Sequence, residues 1–116
     1  MRVMISQPMA GIDDEEIRFR FNKISKEFSK LHIDVVDNIW QDSPQEGFYN
    51  TEPLFYLAKS INAMGQVDAV YFAEGWQNAR GCVIEYEICK AYGIKILDTD
   101  WLKDKTFNPY KMHRQC

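Results

Sequence analysis

The stretch Ala69-Val70-Tyr71-Phe72-Ala73, residues 74–80, Gly81-Cys82-Val83-Ile84-Glu85-Tyr86-Glu87-Ile88-Cys89-Lys90-Ala91-Tyr92-Gly93 and Ile94-Lys95-Ile96-Leu97 reads as strand, loop, helix and strand. The first and last runs are short and apolar, as buried strands are. The long run has helical length and ends at Gly93, a residue suited to the C′ position. Two strands joined by a helix predict parallel pairing beneath a helical layer.

One residue of that helix is out of place. At about 100° per residue, Cys82, Ile84, Ile88, Cys89, Ala91 and Tyr92 fall on one broad arc. Glu85 falls inside the arc, whereas Glu87 and Lys90 fall opposite, where charges belong. A glutamate is seldom fully buried without a partner, and burying its ionised form unpaired is costly. Glu85 therefore has a dedicated partner or faces a cavity.

The same alternation extends towards the N-terminus. Residues 3–6 are apolar and predict a first strand, followed by the loop Ser6-Gln7-Pro8-Met9-Ala10-Gly11. Asp13-Asp14-Glu15-Glu16 marks a helix start, since acids favour the positive end of the dipole. Ile17, Phe21, Ile24, Phe28 and Leu31 give that helix an apolar stripe, and residues 33–36 predict a second strand. Residues 37–53 are irregular and contain Trp40, Phe48 and Tyr49; a loop of this length in a compact domain is often functional. Residues 54–65 predict a second helix with Leu54, Leu57, Ile61 and Met64 on one face. Residues 98–116 are mixed and aromatic and support no firm assignment.

The order β-α-β-α-β-α-β predicts an α/β fold in one domain over residues 1–116. It is a three-layer α-β-α sandwich with a four- to five-stranded parallel sheet, flavodoxin- or Rossmann-like. Such sheets bind ligands beyond the carboxyl ends of their strands, at the topological switch point. Residues 6–11, the loop from Asp37, and residues 74–80 all follow carboxyl ends. Glu85 lies near the start of the helix after the third, beside the expected crevice.

Composition narrows the function. The chain has 116 residues, 46% hydrophobic and 27% charged, which suits one globular core. Its net charge of -3 argues against binding polymeric nucleic acid, which usually needs a basic patch. A small anionic ligand needs only local donors. No apolar run approaches the roughly 20 residues of a membrane span. Met1-Arg2-Val3-Met4-Ile5 has no signal-peptide pattern, so a cytoplasmic location without membrane attachment is expected. Cys82, Cys89 and Cys116 are odd in number and lack metal-like spacing with His32 and His113. They read as reduced thiols, with no metal site. Both histidines read as surface residues, and Asp68 as a structural cap at a helix-to-strand turn.

The segments Val67-Asp68-Ala69-Val70-Tyr71-Phe72, Gly81-Cys82-Val83-Ile84-Glu85 and Ala91-Tyr92-Gly93-Ile94-Lys95-Ile96 resemble the nucleoside 2-deoxyribosyltransferase-like superfamily. Its members exchange bases on deoxynucleosides or hydrolyse nucleoside 5′-monophosphates. Met4-Ile5-Ser6-Gln7-Pro8-Met9-Ala10-Gly11 is similar to the first strand and ligand loop, closest to small, often phage-associated relatives. The resemblance covers residues 3–97 and implies that Glu85 is the catalytic glutamate. It also implies a nucleoside or nucleotide substrate, no metal or organic cofactor, and a homo-oligomer, dimer or higher. One departure stands out. Competent relatives carry an aspartate on the second helix about eight residues before the one that opens the third strand. Here that position is Ser60, beside Lys59 and Asn62.

The chemistry asked of Glu85 is specific. Breaking an N-glycosidic bond builds positive charge at the anomeric carbon, and a carboxylate can trap it as an ester or stabilise it. The bland alternative pairs Glu85 with a core hydroxyl or with Arg80. Gln7 has an amide suited to a base or a sugar hydroxyl, or it satisfies the turn. Ser6, Pro8, Met9 and Gly11 form the rest of the first substrate loop, although Asp13 to Glu16 would repel an anion there. Trp76 stacks on a base or covers the core. Arg80 orients Glu85, meets a phosphate or is simply solvated; Gly81 and Ser60 complete the substrate set. Trp40, Phe48 and Tyr49 line the pocket or pack the long loop down. Trp101, Phe107 and Tyr110 are apolar surface in need of cover, such as a second subunit.

Overall fold

Four strands and four helices alternate along the chain in a computed structural model that describes residues 1–40 and 43–107. They are β1 (Arg2–Ser6), α1 (Asp14–Lys30), β2 (Asp34–Val35), α2 (Glu52–Met64), β3 (Ala69–Phe72), α3 (Arg80–Tyr92), β4 (Lys95–Leu97) and α4 (Thr99–Thr106). A single 3-10 turn, Trp76–Asn78, precedes α3. The strands form one parallel sheet in the order β2-β1-β3-β4. This is the expected α/β sandwich, Rossmann-like, with four strands among the described residues.

Side-chain alternation sorts the core into two faces. Val3 and Ile5 pack with Ala69, Tyr71 and Leu97 against Phe21 and Phe28 of α1 and Leu102 of α4. Met4, Val70 and Phe72 pack on the opposite face against Ala63 and Met64 of α2 and Cys89 of α3. Phe28 is fully buried, edge-on to Tyr71 at 5.3 Å and stacked on Trp101 at 6.1 Å between ring centroids.

Local chemistry sets the helix ends. Asp13 accepts a hydrogen bond from the Glu16 amide at 2.9 Å, and three acids occupy the first turn of α1. The other end of α1 closes with Ile33 N–H donating to the Phe28 carbonyl at 3.1 Å. That closure forces His32 into the left-handed region at φ 58°. Gly93 takes the same region after α3 at φ 70°, as its position in the sequence predicts.

Three features go beyond the sequence reading. The described tail contains α4, capped by Asp98, which accepts from the Trp101 amide at 2.8 Å. Trp101 packs inside its own chain, on Phe28. Phe107 is exposed, and Tyr110, His113 and Cys116 lie outside the described residues. On α2, Ala63 and Met64 are buried, whereas Leu54 and Ile61 are 54% and 41% exposed. On α3 the buried stripe is Cys82, Glu85 and Cys89, while Ile84, Ala91 and Tyr92 face outward. Periodicity gives the spacing of a face; docking on the sheet fixes its rotation, and here it centres that face on the glutamate.

Three expectations hold. Asp68 accepts from the Arg2 amide at 2.7 Å, tying the start of β3 to β1. Cys82 and Cys89 are free thiols, and His32 is exposed. Among the described residues no group of acids, cysteines and histidines could hold a metal ion, and no helix is long and apolar enough to cross a membrane.

Candidate functional site

The switch point lies between β1 and β3, because α1 carries the chain to one side of β1 and α2 returns it to the other. Ser6 ends β1 beside Phe72, which ends β3. By alternation Ser6 shares the face of Met4, which is the face of α2 and α3. There its hydroxyl donates to Glu85 Oε1 at 2.6 Å. Ser6 is 2% exposed and Glu85 7%.

Partners therefore resolve the anomaly of Glu85, and they are neutral. Ser6 makes the short bond, and the Ser60 hydroxyl of α2 adds a weaker polar contact. No ion pair joins Glu85 to Arg80 or to any other cation among the described residues. Burial pushes the Glu85 carboxyl above its usual range, and the Ser6 and Ser60 hydroxyls pull it back only in part. Glu85 is the sixth residue of α3, past the first turn where the dipole acts most strongly, so that aid is smaller than the sequence suggests.

Two thiols border the carboxyl. Cys82, one turn earlier on α3, touches the Ser6 hydroxyl, and burial holds its thiol up at about 11. Cys89, one turn later, is likewise held at about 11 by burial and by the Glu85 charge. Ser6 has one proton, and the short bond commits it to Glu85.

The other predicted residues divide into two groups. Gln7 is 5% exposed and its amide NH2 donates to the Ile17 carbonyl at 3.4 Å. Pro8 and Met9 are half-buried, and a Cβ on Gly75 would sit 3.7 Å from Pro8 Cγ, so the loops after β1 and β3 meet. Gly11, at φ 75°, is exposed beside the acid-capped start of α1. Trp76 stacks on Tyr86 at 4.4 Å and leans on Phe72 at 5.3 Å, so it covers the core. Arg80 and Gly81 are exposed at the start of α3. The structure thus brings together Ser6, Ser60 and Glu85, with Gln7 adjoining, and leaves Arg80 and Gly81 in solvent.

Sequence reasoning missed Asn38. It is 3% exposed, and its NH2 donates to the Ile5 carbonyl at 2.8 Å, continuing the β1–β2 ladder with a side chain. An asparagine just past a strand, opening a long loop, was the available signal. Trp40 packs on the α2/α3 face, with Lys59 Nζ 5.8 Å from its ring centroid. Phe48 and Tyr49 are exposed, edge-on to one another, and Tyr49 meets Phe55 of α2 at 5.5 Å. Two open depressions lie elsewhere. One, about 470 Å³, borders Asp13, Glu16 and Phe19; the other, about 300 Å³, borders Pro44, Tyr49 and Glu52.

Comparison with known proteins places the chain at this point. A family model described as a domain of unknown function, DUF4406, matches residues 1–98, and the chain belongs to that family. No curated protein and no solved structure matches it.

Proposed function

We propose that this DUF4406 protein cleaves or transfers at the N-glycosidic bond of a nucleoside or nucleoside 5′-monophosphate, with Glu85 as the nucleophile. The observation that carries the proposal is the 2.6 Å bond from Ser6 to Glu85 Oε1 at the switch point, with no cation neutralising the carboxylate among the described residues. A hydroxyl partner fixes the carboxylate's direction and leaves its negative charge for the anomeric carbon. The resemblance of residues 3–97 to deoxyribosyltransferase-like proteins supplies the substrate class.

In the proposed step a Glu85 oxygen attacks the anomeric carbon. The C–N bond breaks, and the base leaves with the electron pair and takes a proton. Water, or a second base, then opens the glycosyl ester and frees the carboxylate. Attack needs ionised Glu85, so the rate rises with pH through the raised value of this carboxyl. In the same reading Ser6 positions Glu85, and the chain works in a reducing cytoplasm as a homo-oligomer. Exposed Leu54 and Ile61 support that assembly.

The decisive experiment is product analysis over a panel of deoxynucleosides and their 5′-monophosphates, comparing native protein with Glu85→Gln. Free base is expected from the native protein alone. Equal release by both proteins overturns the role of Glu85.

A second reading is favoured by Ser60, which stands where competent relatives carry an acid. In it the chain binds a nucleotide without turning it over. It predicts a raised melting temperature with ligand and no free base; an unchanged melting temperature across the panel removes it.

A further inference from the structure

The two helical layers of the sandwich present different surfaces. On α1 the exposed positions include Asp14, Glu15, Arg20, Lys23 and Lys26, and Phe19 is the one large apolar side chain in the open. Ion pairs from Arg20 to Glu16 and from Lys30 to Glu27 run along that helix. Such a face is made for water.

The α2 helix is dressed otherwise. Its exposed positions Leu54, Ala58 and Ile61 recur at the spacing of a single apolar stripe. Lys59 is the only charged residue between 53 and 66, and it lies along the rings of Trp40 and Phe55. The neighbouring α3, on the same side of the sheet, leaves Ile84 and Ala91 exposed two turns apart. A helix that is apolar all round is a buried helix, yet this chain covers α2 on one side only.

That cover is also thin. Ala63 and Met64, in the last turn, are the only buried residues of α2, and Thr51 before it makes no side-chain capping bond. On the inner side Ser60 touches Glu85. A helix that carries part of the Glu85 site is thus fastened mainly at its far end.

A second copy of the chain fits the open side, by size and by pattern. Phe48, Tyr49, Leu54, Ile61 and Ile84 leave roughly 500 Å² uncovered, at about 200 Å² for a large side chain. An interface of standard size takes about 800 Å² from each partner, of which somewhat more than half is apolar. The stripe is also its own complement. Leu54 and Ile61 lie to either side of its middle, so two antiparallel α2 helices crossing at Ala58 set each Leu54 on the partner's Ile61. The small alanine stands at the crossing, where the backbones come closest. The stripe carries no charge, so the two copies meet there without repulsion.

We propose that the α2 face is a twofold interface between two copies of this chain, and that assembly clamps the Ser60 side of the Glu85 site. The second part rests on the reading of Glu85 given above.

Sedimentation velocity of the full chain across a dilution series tests the interface. The native protein should sediment as a dimer. Ala58→Arg, which sets two like charges at the axis, should weaken that dimer about a hundredfold or more with unchanged circular dichroism, and Phe19→Arg on α1 should leave it intact. In a Cys116→Ser background, Ala58→Cys should close a disulfide between copies under mild oxidation, because only a residue beside a twofold axis meets itself; Leu54→Cys should not. A monomeric native chain, a dimer indifferent to Ala58→Arg, or cross-linking through Leu54→Cys alone overturns the interface. Hydrogen exchange tests the clamp: the amides of residues 54–60 should exchange about tenfold faster once the native dimer is diluted apart. Equal protection overturns the clamp and leaves the interface. A dimer that releases no base from any nucleoside overturns the glycosidic reading and leaves the interface standing.

Discussion

Ser6 and Glu85 are 79 residues apart in the chain, yet their side-chain oxygens stand 2.6 Å from one another. The contact joins the last residue of β1 to the second turn of α3, and it is the only short hydrogen bond made by the Glu85 carboxyl among the described residues. Burial of the pair makes the charge on Glu85 a liability to the fold.

The first consequence is a pH dependence of stability. Glu85 titrates above its unfolded value, so between the two values the folded chain holds a proton that the unfolded chain has lost. Its contribution is greatest below the unfolded value and is lost as pH rises through the folded one. Glu85→Gln removes that slope. Urea midpoints measured from pH 4 to pH 8 should show the variant gaining on the native protein as pH rises, with the gap smallest in acid. A gap that widens in acid would contradict the burial argument.

Ser6→Ala deletes the donor and leaves a buried acceptor. We expect a loss of about 1–3 kcal/mol in unfolding free energy. The Glu85 carboxyl should also move further upward, read by carboxyl NMR titration. A stability loss without movement of that titration would make Ser6 a packing residue only.

How much of this was legible follows from what each signal encodes. Glu85 could be found because a charge within an apolar arc is a local anomaly. The identity of its partner could not, since no short-range pattern links position 6 to position 85. Ser60 was reachable only by counting back from Asp68 along a family resemblance. The spacing of Leu54 and Ile61 on one face of α2 could not say which face docks, and α2 presents Ala63 and Met64 to the sheet. The α4 helix escaped notice at eight residues, although Asp98 before it and Lys103 and Lys105 in its last turn are ordinary end signals.

His32 stands in the left-handed region at φ 58°, a place that suits glycine. His32→Gly should raise stability by about 1 kcal/mol, or roughly 4 °C in melting temperature. Calorimetry checks this directly; a lower melting temperature would mean that the imidazole makes a compensating contact.

Phe28 fills the space between Tyr71 and Trp101 on the α1/α4 face. Phe28→Ala should cost about 3–5 kcal/mol in denaturant unfolding. Because the glutamate lies on the opposite face of the sheet, the titration of Glu85 should not move in whatever fraction of the variant folds.

Cys82 and Cys89 are both buried, with thiols held at about 11. At pH 8 neither should react with a maleimide within the time that labels a small thiol, and both should react once urea unfolds the chain. Peptide mapping of the labelled sites reads this; fast native labelling of Cys82 would place the Ser6–Glu85 pair within reach of solvent.

The rims of the sheet limit how copies of the chain could join. A foreign strand would find two rungs at the β2 margin and three at the β4 margin, with exposed Asp34 and Lys95 on those strands. Ladders so short and charged are poor templates for strand addition. Among the described residues, backbone addition at either margin is disfavoured, which leaves side-chain surfaces as the better route to self-association.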